Sequence, residues 1–241
     1  MSPALSTPEP LPDRLPQGGF HPALWRCWRS HLWVKVFGIS GFMWLFFIGY
    51  FHLLRHPVHP VTVMPLTELD RMIPLQPGWL AAYVSLWVYV GISPGLFLTL
   101  RRLIAYGAWA GAMCLSGLAV FYLWPNAVPP HGMDVSGHAG FALLQGVDAA
   151  GNACPSLHVA SATFAWLWLR RQLDVLGAPR RWQVVNLLWF LAITYSTLAT
   201  KQHVVLDALA GLLLGGLFGL ASLRWGPRAE GGPQDLAAEA R

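Results

Sequence analysis

Residues 203–223 read HVVLDALAGLLLGGLFGLASL, an apolar stretch with one histidine and one carboxylate near its beginning. A helix of this length, at about 1.5 Å per residue, can cross the roughly 30 Å hydrocarbon core of a bilayer. Gly211, Gly215 and Gly219 recur every four residues, a pattern that lets a second helix approach closely. His203 and Asp207 continue that spacing, so both side chains are predicted to face the interior of a helical bundle.

The composition of the whole chain is that of a membrane protein. Of its 241 residues, 55% are hydrophobic and 11% are charged, whereas soluble domains contain about 25% charged residues. The 13 tryptophans agree with this assignment, because aromatic rings concentrate at membrane–water interfaces. Cys27, Cys114 and Cys154 are too widely spaced to indicate a metal pair, and we infer neither a disulfide nor thiol chemistry.

The predicted fold class is all-α, a polytopic membrane bundle of six transmembrane helices. The predicted spans are 33–54, 78–100, 103–124, 155–170 (or to 176), 182–199 and 203–223. The fourth is the weakest, because Arg170 and Arg171 have to extend their charged ends to the interface. The expected domains are a disordered and interfacial tail at 1–31, the membrane catalytic domain at 32–223 and a disordered tail at 224–241.

The distribution of lysine and arginine predicts the orientation of the bundle. With the N-terminus in the cytoplasm, 13 of the 16 basic residues lie inside, and the outer side holds Arg55, Arg71 and Lys201. Basic residues favour the cytoplasmic side, so both termini are expected there. In a bacterial cell the protein would lie in the inner membrane with its outer loops in the periplasm. The net charge of +5 therefore reflects topology, since a nucleic-acid surface would gather the charge on one face.

Candidate chemistry lies in two segments at the outer ends of predicted helices. In the first, Pro155 suits a first helical turn, and the Ser156 hydroxyl with the following amides can bind an anion beside His158. In the second, Asp207 can accept the Nδ1–H of His203 and leave Nε2 free as a nucleophile. The alternatives are an ordinary helix start with an incidental histidine, and a polar pair that joins helices.

Lys201 lies on the outer side, two residues before His203. It can pair with the charge of a phosphate or anchor the last helix at the interface. The sequence leaves these two roles open.

The two segments resemble signatures of the type 2 phosphatidic acid phosphatase superfamily. The Pro-Ser-Gly-His signature appears at 155–158 with Leu157 in place of glycine, and the Ser-Arg-x5-His-x3-Asp signature appears at 196–207 with Thr197 in place of arginine. The Lys-x6-Arg-Pro signature is replaced by Pro-Asn-Ala-Val-Pro-Pro-His at 125–131, a pattern similar to the inositol phosphorylceramide synthase-like branch. The resemblance covers roughly residues 100–223.

The resemblance implies a membrane enzyme that moves phosphoryl groups on lipids through a phosphohistidine, with His203 as nucleophile, His158 as acid/base and Asp207 as orienter. Its expected phosphate-binding residues are Ser156, Lys201, His131 and Ser196. The expected partners are a lipid phosphate substrate and the bilayer; neither a metal, a cofactor nor a nucleic acid is expected, and the oligomeric state is open. Hydrolysis is favoured slightly over head-group transfer, and the alternative outside enzymes is a transporter or structural protein that uses His203 and Asp207 as a proton relay or helix contact.

Overall fold

A computed structural model of the chain describes residues 20–130 and 151–226. Its helices are α1 Phe20–Arg29, α2 Leu32–Arg55, α3 Glu68–Met72, α4 Leu80–Val84, α5 Leu86–Gly95, α6 Leu100–Leu123, α7 Leu157–Val175, α8 Arg180–Ala199 and α9 Val205–Trp225. A 3-10 helix, Pro77–Trp79, precedes α4, and two short strands, β1 Thr62–Val63 and β2 Asn126–Ala127, pair in parallel. Of the tails predicted at 1–31 and 224–241, residues 1–19 and 227–241 lie outside the described residues, as does His131.

The all-α membrane architecture predicted from the sequence is confirmed in its coarse form. Within 20–130 and 151–226, four helices are long and apolar enough to cross a membrane, namely α2, α6, α8 and α9. Helix α7 occupies the predicted fourth span but does not reach that level of hydropathy. Its last turns contain Arg170, Arg171, Gln172 and Asp174, which lower its apolar character.

The second predicted span, 78–100, is divided in the structure. The 3-10 helix, α4 and α5 share this region, and each is too short to cross a bilayer by itself. The interruption lies at Ser85, whose hydroxyl donates to the Ala82 carbonyl over 2.7 Å and accepts from Trp189 Nε1 over 2.9 Å. Serine can bond to nearby backbone in competition with the helix, and an apolar sequence pattern does not reveal such a break.

Helices α7 and α9 pack closely along the glycine face predicted from the sequence. A methyl group at Gly211 would overlap the Ser156 carbonyl oxygen, and one at Gly215 would overlap the Ala160 carbonyl oxygen. Glycine lets the two backbones approach this closely because it has no side chain. The predicted inward direction of this face is confirmed, since Asp207 is fully buried.

A buried lysine holds the end of the bundle where α1 and α5 meet. Lys35 donates to the carbonyl oxygens of Cys27, Gly95 and Phe97 over 2.6, 3.0 and 2.7 Å. It thereby satisfies carbonyls that the end of α5 leaves without helical partners. Helix α1 lies within the region predicted to be interfacial, with Trp25 and Trp28 exposed.

The loops at the opposite end of the bundle converge. Strands β1 and β2 join the segment after α2 to the segment after α6, and Ala127 forms a bridge with Gly151. The backbone N–H of Gln76 donates to the Ala199 carbonyl over 2.8 Å, which adds the end of α8. The two segments predicted to carry chemistry therefore lie at the same end of the bundle.

Candidate functional site

Asn126 holds the chain immediately before the Pro155–His158 segment. Its side-chain oxygen accepts from the backbone N–H groups of Ala153 and Cys154 over 2.8 and 2.7 Å. Its side-chain nitrogen donates to the carbonyl oxygens of Cys154 and Trp124 over 2.7 and 2.9 Å. The amide is buried and uses both of its polar groups, so it fixes the direction in which the chain enters α7.

Ser156 caps the N-terminus of α7 and joins the two candidate segments. Its hydroxyl accepts from the Val159 N–H over 3.2 Å, as expected of an N-cap serine. Its own N–H donates to the Asp207 carbonyl over 3.0 Å. Ser156 is fully buried, so it contributes to the site through the backbone connection between α7 and α9.

His158, the second residue of α7, lies against an aromatic wall. Its ring stacks on Tyr83 with the ring centres 4.1 Å apart and meets the edge of Trp87 at 6.4 Å. The ring also hydrogen-bonds to the backbone of Tyr83. Its Nε2 has no hydrogen-bond partner among the described residues, which leaves Nδ1 for that bond. One face and one nitrogen of His158 are thus held by Tyr83, and the other nitrogen is buried with no hydrogen-bond partner among the described residues.

The sequence predicted that His203 begins the last helix. In the structure His203 lies in the turn that precedes α9. The helix begins at Val205, because Val204 is extended and the carboxylate of Asp207 accepts its N–H over 2.9 Å. The carbonyl of Thr197 accepts from the N–H groups of Gln202 and His203, each over 3.1 Å. Two backbone contacts therefore define the turn that carries His203.

The carboxylate of Asp207 lies near the ring of His203, but the predicted hydrogen bond between them is not formed. His203 Nδ1 lies 3.7 Å from Asp207 Oδ2, which is longer than a hydrogen bond. The side chain of His203 is 10% exposed and that of Asp207 is not exposed. Asp207 Oδ1 has no hydrogen-bond partner in the part of the chain described. Contacts of this kind often shorten when a substrate binds, and the orienting role of Asp207 stays a prediction.

His158 and His203 line the same cavity, which has a volume of about 600 Å³. Tyr83 and Asn152 also line it at the end where the loops converge. The structure therefore brings the predicted nucleophile and the predicted acid/base to one space, with Asp207 behind His203.

The predicted phosphate-binding residues that the structure describes do not line the cavity of the two histidines. The ammonium group of Lys201 donates to the carbonyl oxygens of Asp70, over 2.8 Å, and Ile73. Desolvation lowers the pKa of Lys201, and the charge of Asp70 opposes that shift. Ser196 is buried and donates to the Ile193 carbonyl over 2.6 Å. Lys201, Ser196 and Ser156 do not line the cavity, and their phosphate-binding roles, like that of His131 outside the described residues, stay predictions.

Asp70 contacts the start of α9 beside the candidate site, and the sequence did not predict this contact. Its side chain is buried, caps α3 through Thr67, and accepts the Val205 N–H at the start of α9 over 2.8 Å. The spacing of Thr67 and Asp70 is typical of a capping box and could have predicted α3. Nothing in the sequence links Asp70 to Val205, which is far along the chain. Asp70 and Lys201 together attach the loop before α4 to the turn that carries His203.

Cys154 lies beside Asp207 at the entrance to α7. Burial, followed by the negative charge of Asp207, raises the pKa of the Cys154 thiol to about 11. A thiol is a nucleophile in its deprotonated form, and this shift disfavours that form in Cys154.

A model of the PAP2 superfamily matches residues 99–230, more than half of the chain. The protein belongs to the PAP2 superfamily. Members of the superfamily are phosphatases or phosphotransferases, which supports an enzyme that acts on a lipid phosphate. Comparisons with curated proteins and with solved structures gave no match. The matched PAP2 region includes Asn126 and both histidines, whereas Asp70 and Tyr83 precede it.

Proposed function

We propose that the protein is an integral membrane lipid phosphatase or phosphotransferase that works through a phosphohistidine on His203. The observation that carries the proposal is the shared cavity of His158 and His203, with buried Asp207 3.7 Å from the His203 ring. Two imidazoles of unequal surroundings can divide the roles of nucleophile and proton donor. Their position at one end of an apolar bundle suits a substrate whose chain stays in the membrane.

In the first step, His203 Nε2 attacks the phosphorus of the substrate. A nitrogen–phosphorus bond forms while the bond from phosphorus to the leaving oxygen breaks. In this step His158 has to be an imidazolium, a form that the negative charge of the bound phosphate favours. It gives its Nε2 proton to that oxygen and keeps the Nδ1 bond to the Tyr83 backbone. Asp207 supports the positive charge that develops on the His203 ring.

In the second step, the acceptor attacks the phosphohistidine. The neutral His158 Nε2 takes a proton from the acceptor hydroxyl as its oxygen bonds to phosphorus. The nitrogen–phosphorus bond breaks and His203 is regenerated. Water as acceptor makes the enzyme a phosphatase, which we favour slightly. A lipid or inositol hydroxyl makes it a transferase, as in the inositol phosphorylceramide synthase-like branch.

The phosphate site differs from the superfamily signature in its cations. Thr197 stands at the position of a signature arginine and is buried, with its hydroxyl donating to the Thr194 carbonyl over 2.8 Å. We propose that the N–H groups of Leu157 and His158 at the start of α7, together with Lys201 and His131, bind the phosphate instead. Lys201→Met should raise KM, and Lys201→Arg should restore it in part. If both variants lose stability equally, the role of Lys201 is limited to its contacts with the Asp70 and Ile73 carbonyls.

We propose six crossings, with the 3-10 helix, α4 and α5 forming one crossing and α7 another. Both termini are then cytoplasmic, and the histidines lie at the outer face, which is periplasmic in a bacterial inner membrane. A reporter placed after Arg171 should give a cytoplasmic signal, and one within 132–150 a periplasmic signal. The reverse pattern would overturn this orientation.

The catalytic proposal is tested by trapping the phosphoenzyme. Purified wild-type protein in detergent, given a lipid labelled on its phosphate, should acquire acid-labile label on histidine, and His203→Ala should acquire none. His56→Ala is the control. His56 is an exposed histidine just beyond the C-terminal end of α2, at the end of the bundle where the loops converge. Full phosphate release by His203→Ala would refute the mechanism.

Product analysis separates hydrolysis from transfer. With labelled lipid alone, a phosphatase releases inorganic phosphate, whereas a transferase needs an added alcohol and forms a new phosphodiester or phosphoester. A transporter or structural protein would acquire no label and would not need His158 or Ser156. The absence of label in wild type together with normal function of His158→Ala would favour that alternative.

A further inference from the structure

Helix α1 lies at the end of the bundle opposite the two histidines, at the level where three apolar helices begin. Helix α2 starts just after it, at Leu32. The Ser30 hydroxyl donates to the Phe97 carbonyl over 2.9 Å, which attaches the end of α1 to the loop before α6. The rings of Phe20 and Trp182, 6.3 Å apart, attach its start to the first turn of α8. Because α2, α6 and α8 are long and apolar enough to cross a membrane, α1 lies where hydrocarbon meets water.

One face of α1 packs on the bundle and the other is exposed. Ala23 and Cys27, four residues apart, are buried. Trp25 and Trp28 are 57% and 55% exposed, and their rings stack with the centres 6.2 Å apart. Indole rings are favoured at the level of the lipid headgroups, where their apolar part meets acyl chains and their polar edge meets water. The exposed face of α1 therefore has the aromatic groups of an interfacial helix.

Two arginines lie among these tryptophans. Arg26 and Arg29 are exposed, and the guanidinium of Arg29 lies 5.9 Å from the centre of the Trp25 ring. Stacking on an aromatic ring restrains a guanidinium while the N–H groups along its edge can still bind a phosphate in bidentate fashion. Within the described residues, neither arginine forms an ion pair with a carboxylate. Both cations are thus placed beside an aromatic surface without a neutralising partner from the described part of the chain.

The elements that touch α1 add positive charge at both of its ends. Exposed Arg101 lies at the start of α6, and exposed Arg180 and Arg181 lie at the start of α8. Among the described residues at this end of the bundle, Asp174 is the one carboxylate, and it accepts from Gln183 Nε2 over 2.6 Å. The surface around α1 is therefore complementary in charge to an anionic lipid headgroup.

We propose that the α1 face, formed by Trp25, Arg26, Trp28 and Arg29, binds the headgroup of an anionic phospholipid. The arginines bond to its phosphate, and the indole rings lie against its glycerol and the first part of its acyl chains. A soluble anion would leave both indole rings in water, whereas a lipid covers them. Basic and aromatic side chains together on one helix are typical of helices that bind anionic membrane surfaces. This site lies at the end opposite the two histidines, so it does not depend on the proposed phosphoryl transfer.

Quenching of tryptophan fluorescence tests the proposal without any turnover. Full-length protein is placed in phosphatidylcholine nanodiscs that contain the same small fraction of either brominated phosphatidylglycerol or brominated phosphatidylcholine. The difference between wild type and Trp25→Phe/Trp28→Phe isolates the signal of these two rings. Brominated phosphatidylglycerol should quench that signal more strongly than brominated phosphatidylcholine does. Equal quenching by the two lipids would overturn the proposal.

The arginines are tested by the same difference measured in an Arg26→Gln/Arg29→Gln background. Each basic side chain near an anionic surface strengthens binding about 5-fold, so this variant should bind phosphatidylglycerol about 10-fold more weakly or worse. Arg55→Gln/Arg71→Gln is the matched control. It removes two exposed arginines at the other end of the bundle, one of which lies 5.5 Å from the centre of an aromatic ring. An equal loss in the control would assign the effect to net charge and overturn the site.

Thermal unfolding in detergent distinguishes a lipid from a soluble anion. Added phosphatidylglycerol should raise the unfolding midpoint of wild type, because a ligand that binds the folded state stabilises it. The rise should be absent in Arg26→Gln/Arg29→Gln and present in the control variant. Soluble glycerol 1-phosphate should leave the midpoint unchanged. A rise as large as that with the lipid would show that the site binds a free phosphate group, and would refute the assignment to a lipid.

Discussion

The backbone N–H of Ser156 donates a hydrogen bond to the carbonyl oxygen of Asp207 over 3.0 Å. This bond joins the start of α7 to the first turn of α9, and it places His158 and His203 on neighbouring chain segments. The Ser156 carbonyl in turn faces Gly211, where a side chain would overlap it. The spacing between the two histidines therefore depends on how closely α7 and α9 pack.

Gly215→Ala should destabilise the protein by about 1–3 kcal/mol. The added methyl group would overlap the Ala160 carbonyl oxygen and separate α7 from α9. Gly216→Ala is the control, because the same methyl group meets no heavy atom within 4 Å there. Alanine is also the better helix former by about 1 kcal/mol, so this control should be neutral or stabilising. Thermal unfolding in detergent measures both, and equal midpoints would contradict the close packing.

Asn126→Ala should lower both stability and activity, because it leaves the buried backbone groups of Ala153 and Cys154 without their partner. Each unsatisfied buried group costs about 1–3 kcal/mol. Asn126→Asp keeps the acceptor for the Ala153 and Cys154 N–H groups but removes the donor to the Cys154 and Trp124 carbonyls.

The aspartate variant should fold no better than the alanine variant, because a buried carboxylate oxygen would face the Cys154 and Trp124 carbonyl oxygens with no proton between them. The measurements are the unfolding midpoint and the rate of phosphate release. Wild-type values of both for Asn126→Ala would show that the entrance to α7 does not need this amide.

The long apolar helices were predictable from sequence because length and hydropathy alone decide them. Helices α2, α6, α8 and α9 begin and end within a few residues of the predicted spans. The start of α9 differs from the predicted span, which began at residue 203. Asp207 was predicted to share a helix face with His203, but a carboxylate at the third position of a helix can bond to a backbone N–H before it. Here it accepts from Val204, so the helix starts after His203.

The surroundings of the histidines could not be predicted, since they depend on contacts between distant parts of the chain. Tyr83 stacks on His158, and Asp70 accepts the N–H of Val205. Neither residue belongs to a motif with His158 or His203, and a single sequence does not show which loops meet. The contacts of Lys201 were unpredictable for the same reason, because the Asp70 and Ile73 carbonyls belong to a distant loop.

Asp70→Ala should lower kcat by about 10-fold or more, because the start of α9 loses its acceptor and the turn that carries His203 is released. Asp70→Asn retains one carboxamide oxygen for the Val205 N–H and should recover part of the rate. Glu68→Gln is the control, since Glu68 is exposed and pairs with Arg71 at the surface. A positioning role predicts that kcat falls more than KM rises. A change confined to the unfolding midpoint would assign Asp70 to stability alone.

Tyr83→Ala should slow the reaction by up to about 10-fold, because His158 loses the aromatic ring that holds its plane. Stacked aromatic pairs contribute about 0.5–1.5 kcal/mol beyond their buried area. Tyr83→Phe keeps the ring that lies 4.1 Å from His158 and should retain most of the rate. Steady-state kinetics on both variants measure the difference. Equal rates for Phe and Ala at this position would show that stacking does not position His158.

Asp207→Asn separates the two roles of this carboxylate. Asparagine retains an oxygen that can accept the Val204 N–H, so the start of α9 should persist. It removes the negative charge that supports the His203 imidazolium, and kcat should fall by about 10²-fold or more. KM should change little, because Asp207 is buried behind His203 and is not a predicted phosphate ligand.

Asp207→Ala provides the comparison, since it removes the charge and the cap together. It should show the same loss of kcat and, in addition, a lower unfolding midpoint, because removal of an N-terminal cap costs about 0.5–2 kcal/mol. Phosphohistidine trapping on both variants places the defect, and slower labelling of His203 is expected in each. If Asp207→Asn is labelled at the wild-type rate, the carboxylate acts as a structural cap, and His203 reacts without the support of its charge.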